Sequence, residues 1–221
     1  MVLARTSPDG VLILYTIFAR PNLIPSESGF STPVQLMRVP ITGGAPQLVL
    51  TARLYGPPGC ARSPATLCAI AERSQDLTQL IFTAFDPLQG RGRELTRFDI
   101  DPQSNYDWAL SPDGTRIAIL NMVEGRIHIV SLSRNSTMDF AVKGWKSLDS
   151  LAWTADGKAL FVSNHTPDGS VLLHVSLQGN SQVLWKQEGG VGTVAVPSPD
   201  GRHLAIMGWT LNSNIWMMEN F

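Results

Sequence analysis

Charge of one sign is not in excess in this sequence: 17 Lys and Arg face 18 Asp and Glu across 221 residues, a formal net charge of −1. With no overall field, neither nucleic acid nor an acidic membrane surface is favoured as a partner. Long hydrophobic runs are missing too. No apolar stretch approaches the length that crosses a bilayer, so membrane insertion of this chain is not expected. The opening MVLARTSPDG has neither the basic nor the long apolar region of a secretory signal. Helical periodicity is nowhere sustained. Cysteine is down to two residues. The remaining composition, 43% hydrophobic, is ordinary for a buried core, in a length that suits one large domain or two small ones.

What the sequence does have is a recurring corner. SPDG stands at Ser7–Gly10, Ser111–Gly114 and Ser198–Gly201, and TADG at Thr154–Gly157. Proline presets φ for a type I turn, aspartate bonds nearby backbone N–H groups, and glycine takes the left-handed position that closes the turn. In WALSPDGTRIAIL, Ile117 and Ile119 then alternate with small or polar neighbours at the period of a strand. The same hairpin is predicted for LAWTADGKALFVS and AVPSPDGRHLAIMGW. Each is followed by another strand, turn and strand, as in GRIHIVSLSRNSTMDFAV and GSVLLHVSLQGNSQVLW. Four antiparallel strands returning about every 43 residues in the second half are the unit of a β-propeller.

The expected fold is therefore an all-β propeller of about five four-stranded blades, approximately 1–52, 53–99, 100–144, 145–188 and 189–221. The first blade carries a long loop, Arg20 to Pro33, and in the second SPAT (Ser63–Thr66) replaces the turn. The last ends on a third strand at NIWMMENF, so either the N-terminal residues complete it or the ring is open. Because SPDG follows so soon after Met1, a longer parent protein is expected.

The SPDG hairpins, the LMRVPITGGAPQLV type of third and fourth strands and Trp153 before TADG resemble the WD40-like repeats of TolB-type β-propellers, over essentially the whole chain. More narrowly, GRGRELTRFD, KGWKSLDSLAW and GWTLNSNIWMMENF resemble the C-terminal propeller of bacterial serine/threonine kinase or winged-helix signalling proteins. The resemblance implies a non-catalytic sensory or scaffold module. Kinase and DNA-binding activity do not transfer, because HRD, DFG and a DNA-reading helix are lacking. Similar propellers also gate serine peptidases, which makes a substrate-gating domain of a hydrolase the alternative. Neither the hydrolase domain nor a G-x-S-x-G elbow is present.

Cys60 and Cys68 flank the degenerate turn in CARSPATLC. If the register sets them opposite, their Cβ atoms come within the ~3.8 Å of a disulfide, and an oxidising, extracytoplasmic compartment follows. The other reading is two buried thiols. Asp99, Asp101, Asn105 and Asp107 lie in an expected inter-blade loop whose oxygens suit calcium, yet the bending glycine and bidentate glutamate are absent, which favours a solvated turn. No cofactor or metal is expected. His128, His174 and His203 fall in strands without zinc spacing, and His165 lies in an expected loop. Arg91 and Arg93 read as a solvated hairpin tip rather than an anion cradle. Trp108, Trp153, Trp185 and Trp216 are expected between sheets, while Trp145 and Trp209 fall near loops.

Successive strands reverse direction, so loops joining blades open on the same face as loops between second and third strands. That face would collect Asp101, Asn105, Tyr106, Asp107, Trp145, His165 and Trp209. Mixed acidic and aromatic character suits a protein, a peptide or a small polar ligand better than a phosphate backbone.

Overall fold

The structure, a computed structural model, describes residues 4–18, 33–134 and 136–210. Among them every regular element is a strand. The first sheet runs β1 (Arg5–Thr6), β2 (Leu12–Phe18), β3 (Val34–Pro40) and β4 (Gln47–Ala52). The second holds β5 (Gly59–Cys60), β6 (Cys68–Arg73), β7 (Gln79–Asp86) and β8 (Gly90–Asp99). The third is β9 (Tyr106–Leu110), β10 (Arg116–Asn121), β11 (Arg126–Ser131) and β12 (Thr137–Ala141). β13 (Leu148–Trp153), β14 (Ala159–Thr166), β15 (Gly169–Ser176) and β16 (Ser181–Glu188) form the fourth, and β17 (Gly190–Pro197) pairs with β18 (Leu204–Thr210). All pairings are antiparallel between chain neighbours. First strands of successive sheets touch in order, β1 to β5 to β9 to β13 to β17, which ranges the sheets about one axis as propeller blades. Arg5 and Thr6 pair with β2, so they build the first blade and do not complete the fifth. NIWMMENF with Trp216, and residues 19–32 of the long loop, lie outside the described residues.

The repeated corner works as its chemistry requires. In each of the four copies the Ser or Thr hydroxyl donates to the Asp two residues on. The N–H five residues on donates back to that hydroxyl over 2.9–3.1 Å. Each closing glycine sits at φ between 65° and 74°. SQDLT (Ser74–Thr78) makes the same bonds on the opposite face, but with Leu77 in the left-handed position at φ 62°. A side chain there costs about 1 kcal/mol. Leu77→Gly is therefore expected to raise the denaturation midpoint by a comparable stabilisation, whereas Leu77→Ala should give none.

Strand alternation distributes the core. Along β10, Ile117 and Ile119 pack toward the second sheet with Tyr55, Phe82 and Trp108, while Ala118 and Leu120 pack toward the fourth with Trp153, Leu160 and Val162. Phe82 meets Trp108 edge-on at 5.3 Å. A third cluster, around Leu14, Leu36, Ile70 and Phe85, joins the first and second sheets. Each buried side chain of this size contributes roughly 1.5–3 kcal/mol. Both inner-strand tryptophans also donate from Nε1 to the preceding blade, Trp108 to Tyr55 O at 2.7 Å and Trp153 to Ala109 O at 3.0 Å. Those bonds fix the wedge between neighbours and hold the loops above them.

Candidate functional site

The connections from blade to blade are built on inner strands tied in this way. Asp101 heads the loop before β9; its carboxylate accepts from the Gln103 N–H at 3.0 Å and the Ser104 hydroxyl at 2.9 Å, which hold its pKa below the ordinary value. Asn105 is exposed, and its carbonyl accepts from Met122 N–H at 2.9 Å. Tyr106, only 8% exposed, is a support rather than a surface group. Its hydroxyl accepts from Asp101 N–H at 3.0 Å and its own N–H donates to Tyr55 Oη at 2.8 Å. Tyr106→Phe should cost about 1 kcal/mol by orphaning the Asp101 N–H, and faster exchange of that amide would report it.

Asp107 lies within β9, not in the loop. Its Oδ2 accepts from Leu151 N–H at 2.8 Å on the neighbouring inner strand. Burial pushes this carboxyl up to about 6, partly opposed by the Leu151 and Trp108 N–H groups and by the Arg5 guanidinium on β1. Trp145 is half-buried against the core shared by the third and fourth blades. His165 is exposed but belongs to β14, paired with Ser170, and Trp209 belongs to β18, its ring lying over Gly192. Asp99 likewise closes β8 and accepts from Gln79 Nε2 at 2.8 Å. Among the described residues no three His, Cys, Asp or Glu side chains gather as a cation site.

A group the sequence reading passed over completes this face. Asp149 stands at the β-bulge between Leu148 and Ser150 at the head of β13. Its Oδ2 is shut off from solvent with no hydrogen-bond partner, and burial raises its pKa against the pull of nearby His165. Beside it Ser150 Oγ bonds Ser163 Oγ at 2.7 Å and donates to Thr193 O at 3.1 Å, and Ser170 Oγ bonds Thr193 Oγ1 at 2.8 Å. The usable signal was LDS at Leu148–Ser150, two adjacent polar residues at the head of an expected inner strand.

The arginines of GRGREL are in the outer strand β8 instead of a hairpin tip, and Arg91 pairs with Glu72 at 2.6 Å. His128 and His174 occupy equivalent third strands and lie against Phe98 and Phe161 at 4.9 and 6.0 Å. Cys60 and Cys68 face each other across β5 and β6 and are bonded. On the opposite face a hollow of about 650 Å³ separates the fourth blade from β18, lined by Thr154, Phe161, His174, Pro199, Arg202 and His203.

Comparison with solved structures finds the same arrangement of blades. A structure described as TolB from Agrobacterium tumefaciens aligns with TM-score 0.67 at 17% identity, over 95% of this chain and 70% of that one. The chain has a TolB-type propeller fold. TolB from Acinetobacter baumannii aligns with TM-score 0.60 at 17% identity, over 96% of this chain and 63% of its own. A Bacteroides uniformis protein described as a 6-phosphogluconolactonase aligns with TM-score 0.58 at 13% identity, over 93% of this chain and 63% of that one. This propeller thus spans 63–70% of the length of the three structures. No protein-family profile and no curated protein matches the sequence.

Proposed function

We propose that this chain is a non-catalytic binding module, the sensory or scaffold part of a larger bacterial signalling or envelope protein. It takes a protein, a peptide or a small polar ligand on the blade-connecting face. The observation that supports this reading is the unpartnered carboxylate oxygen of Asp149 beside exposed His165. A buried acceptor without a donor is costly, and a ligand N–H, hydroxyl or ammonium would relieve it. The rigid polar string behind it gives that ligand oriented contacts. The disulfide favours an extracytoplasmic setting for the parent protein.

A random peptide display library panned on the protein tests the assignment. Selected peptides should bind Asp149→Ala or His165→Ala on the order of tenfold more weakly, about 1.4 kcal/mol, and should bind Arg202→Ala and His203→Ala unchanged. Binding that follows Arg202 and His203 instead would move the site to the hollow on the other face.

A further inference from the structure

The second blade abandons the corner that the others keep, and what replaces it reaches further than any of them. In the segment between Cys60 and Cys68, Arg62 N–H donates to Pro112 O at 2.8 Å and Ser63 N–H to Pro8 O at 3.1 Å. Those carbonyls belong to the corners of the third and first blades. The Arg62 guanidinium goes to the fifth: Nη2 donates to Pro197 O at 2.9 Å and Nη1 to Ser198 O at 3.2 Å. One short loop therefore joins the corners of three other blades. Ala61, Ala65 and Leu67 also pack under Gly114 of the third corner. The third corner is tied to the fourth in turn, with Arg116 Nη2 donating to Gly157 O at 2.8 Å.

An arginine that donates to two consecutive carbonyls needs its loop held in register, because a fork of donors is useful only when both lone pairs are in place. The loop has two internal backbone bonds, Ala61 N–H to Leu67 O and Ala65 N–H to Arg62 O. Its base is set by the Cys60–Cys68 bond. Cys68 is fully buried, but Cys60 is partly exposed and within reach of a small dithiol.

We propose that this disulfide is a redox-operated clasp: oxidised, it holds Arg62 on Pro197 and Ser198 and locks the fifth blade to the second; reduced, it lets the fifth blade loosen. The exchange is balanced by a dithiol reductant. Its thiolate attacks one sulfur, and its second thiol displaces the mixed disulfide. Two electrons and two protons pass to Cys60 and Cys68 as the reductant becomes a disulfide. The clasp is independent of what the opposite face binds.

Hydrogen exchange of the intact protein, oxidised and after dithiothreitol with thiol capping, reads it directly. Reduction should speed amide exchange in β17 and β18 on the order of tenfold while the fourth blade keeps its protection. Arg62→Ala should reproduce that rise in the oxidised protein, with no further rise on reduction. Complete thiol release with unchanged β17–β18 exchange would overturn the clasp. So would a uniform rise over all sheets, which would make the bond a staple of the whole fold. If Arg62→Ala does not fold, the reduction of the parent protein decides alone.

Discussion

Gly169→Ala should lower the unfolding free energy by more than about 3 kcal/mol. TPDG at Thr166–Gly169 spells nearly the same letters as the repeated corner but turns β14 into β15 on the other face. Gly169 takes φ 143°, and an added Cβ would stand 2.0 Å from Gln187 O. That oxygen belongs to β16, which pairs with β15 from Gly169↔Glu188 onward, so neither backbone can give way without breaking the sheet. Gly10→Ala is the control: φ is 74° and nothing lies within 4 Å of the new carbon. It should cost about 1 kcal/mol, the left-handed penalty alone. Urea titration of both variants separates the clash from the dihedral term, and equal losses would mean that the contact with Gln187 is not felt.

The second large effect is a pH dependence centred on Asp107. Its folded pKa of about 6 lies above the ordinary 3.8, so between those values the native state holds a proton that the unfolded chain has released. Stability from this group is therefore greatest at the acidic end, falls as pH rises through that window, and is flat beyond it. The displacement corresponds to about 3 kcal/mol. Asp101, Asp113 and Asp156 work in the opposite sense, since their hydroxyl and N–H donors hold them below the ordinary value and their contribution fades on acidification. The difference between parent and Asp107→Asn isolates the one group. Asparagine still offers an acceptor to Leu151 N–H, and Arg5 is left in place. The variant should gain about 3 kcal/mol on the parent between pH 4 and pH 7.5, and a difference independent of pH would show the carboxyl to be ordinarily solvated.

The architecture was legible because each corner closes on itself: Ser, Asp and Gly satisfy one another within five residues, so the local letters suffice. The alternation of Ile117 and Ile119 was equally plain. Where a role depends on another blade, the letters say less. Tyr106 reads as an exposed aromatic beside a polar run, yet the register of β9 turns its ring into the core, with its backbone N–H on Tyr55 Oη. His165 and Trp209 look like loop residues because their strands extend further than the turn signals suggest. Asp149 was hidden for the opposite reason: a carboxylate inside a strand pattern passes for its solvated half, and only neighbouring strands and their backbones reveal an oxygen without a donor. For Arg62 the sole hint was negative, a missing PDG in the second blade, and its partners lie 135 and 136 positions away.

That separation bears on how the chain assembles during synthesis. Every sheet pairs strands adjacent in sequence, so each wedge can form soon after it leaves the ribosome, at low entropic expense. Arg62 is made early and must wait, its guanidinium facing solvent, until Pro197 and Ser198 emerge. The fifth wedge is thus received by a socket made 135 positions earlier in the polypeptide, so its docking has to follow the synthesis of the wedges between them.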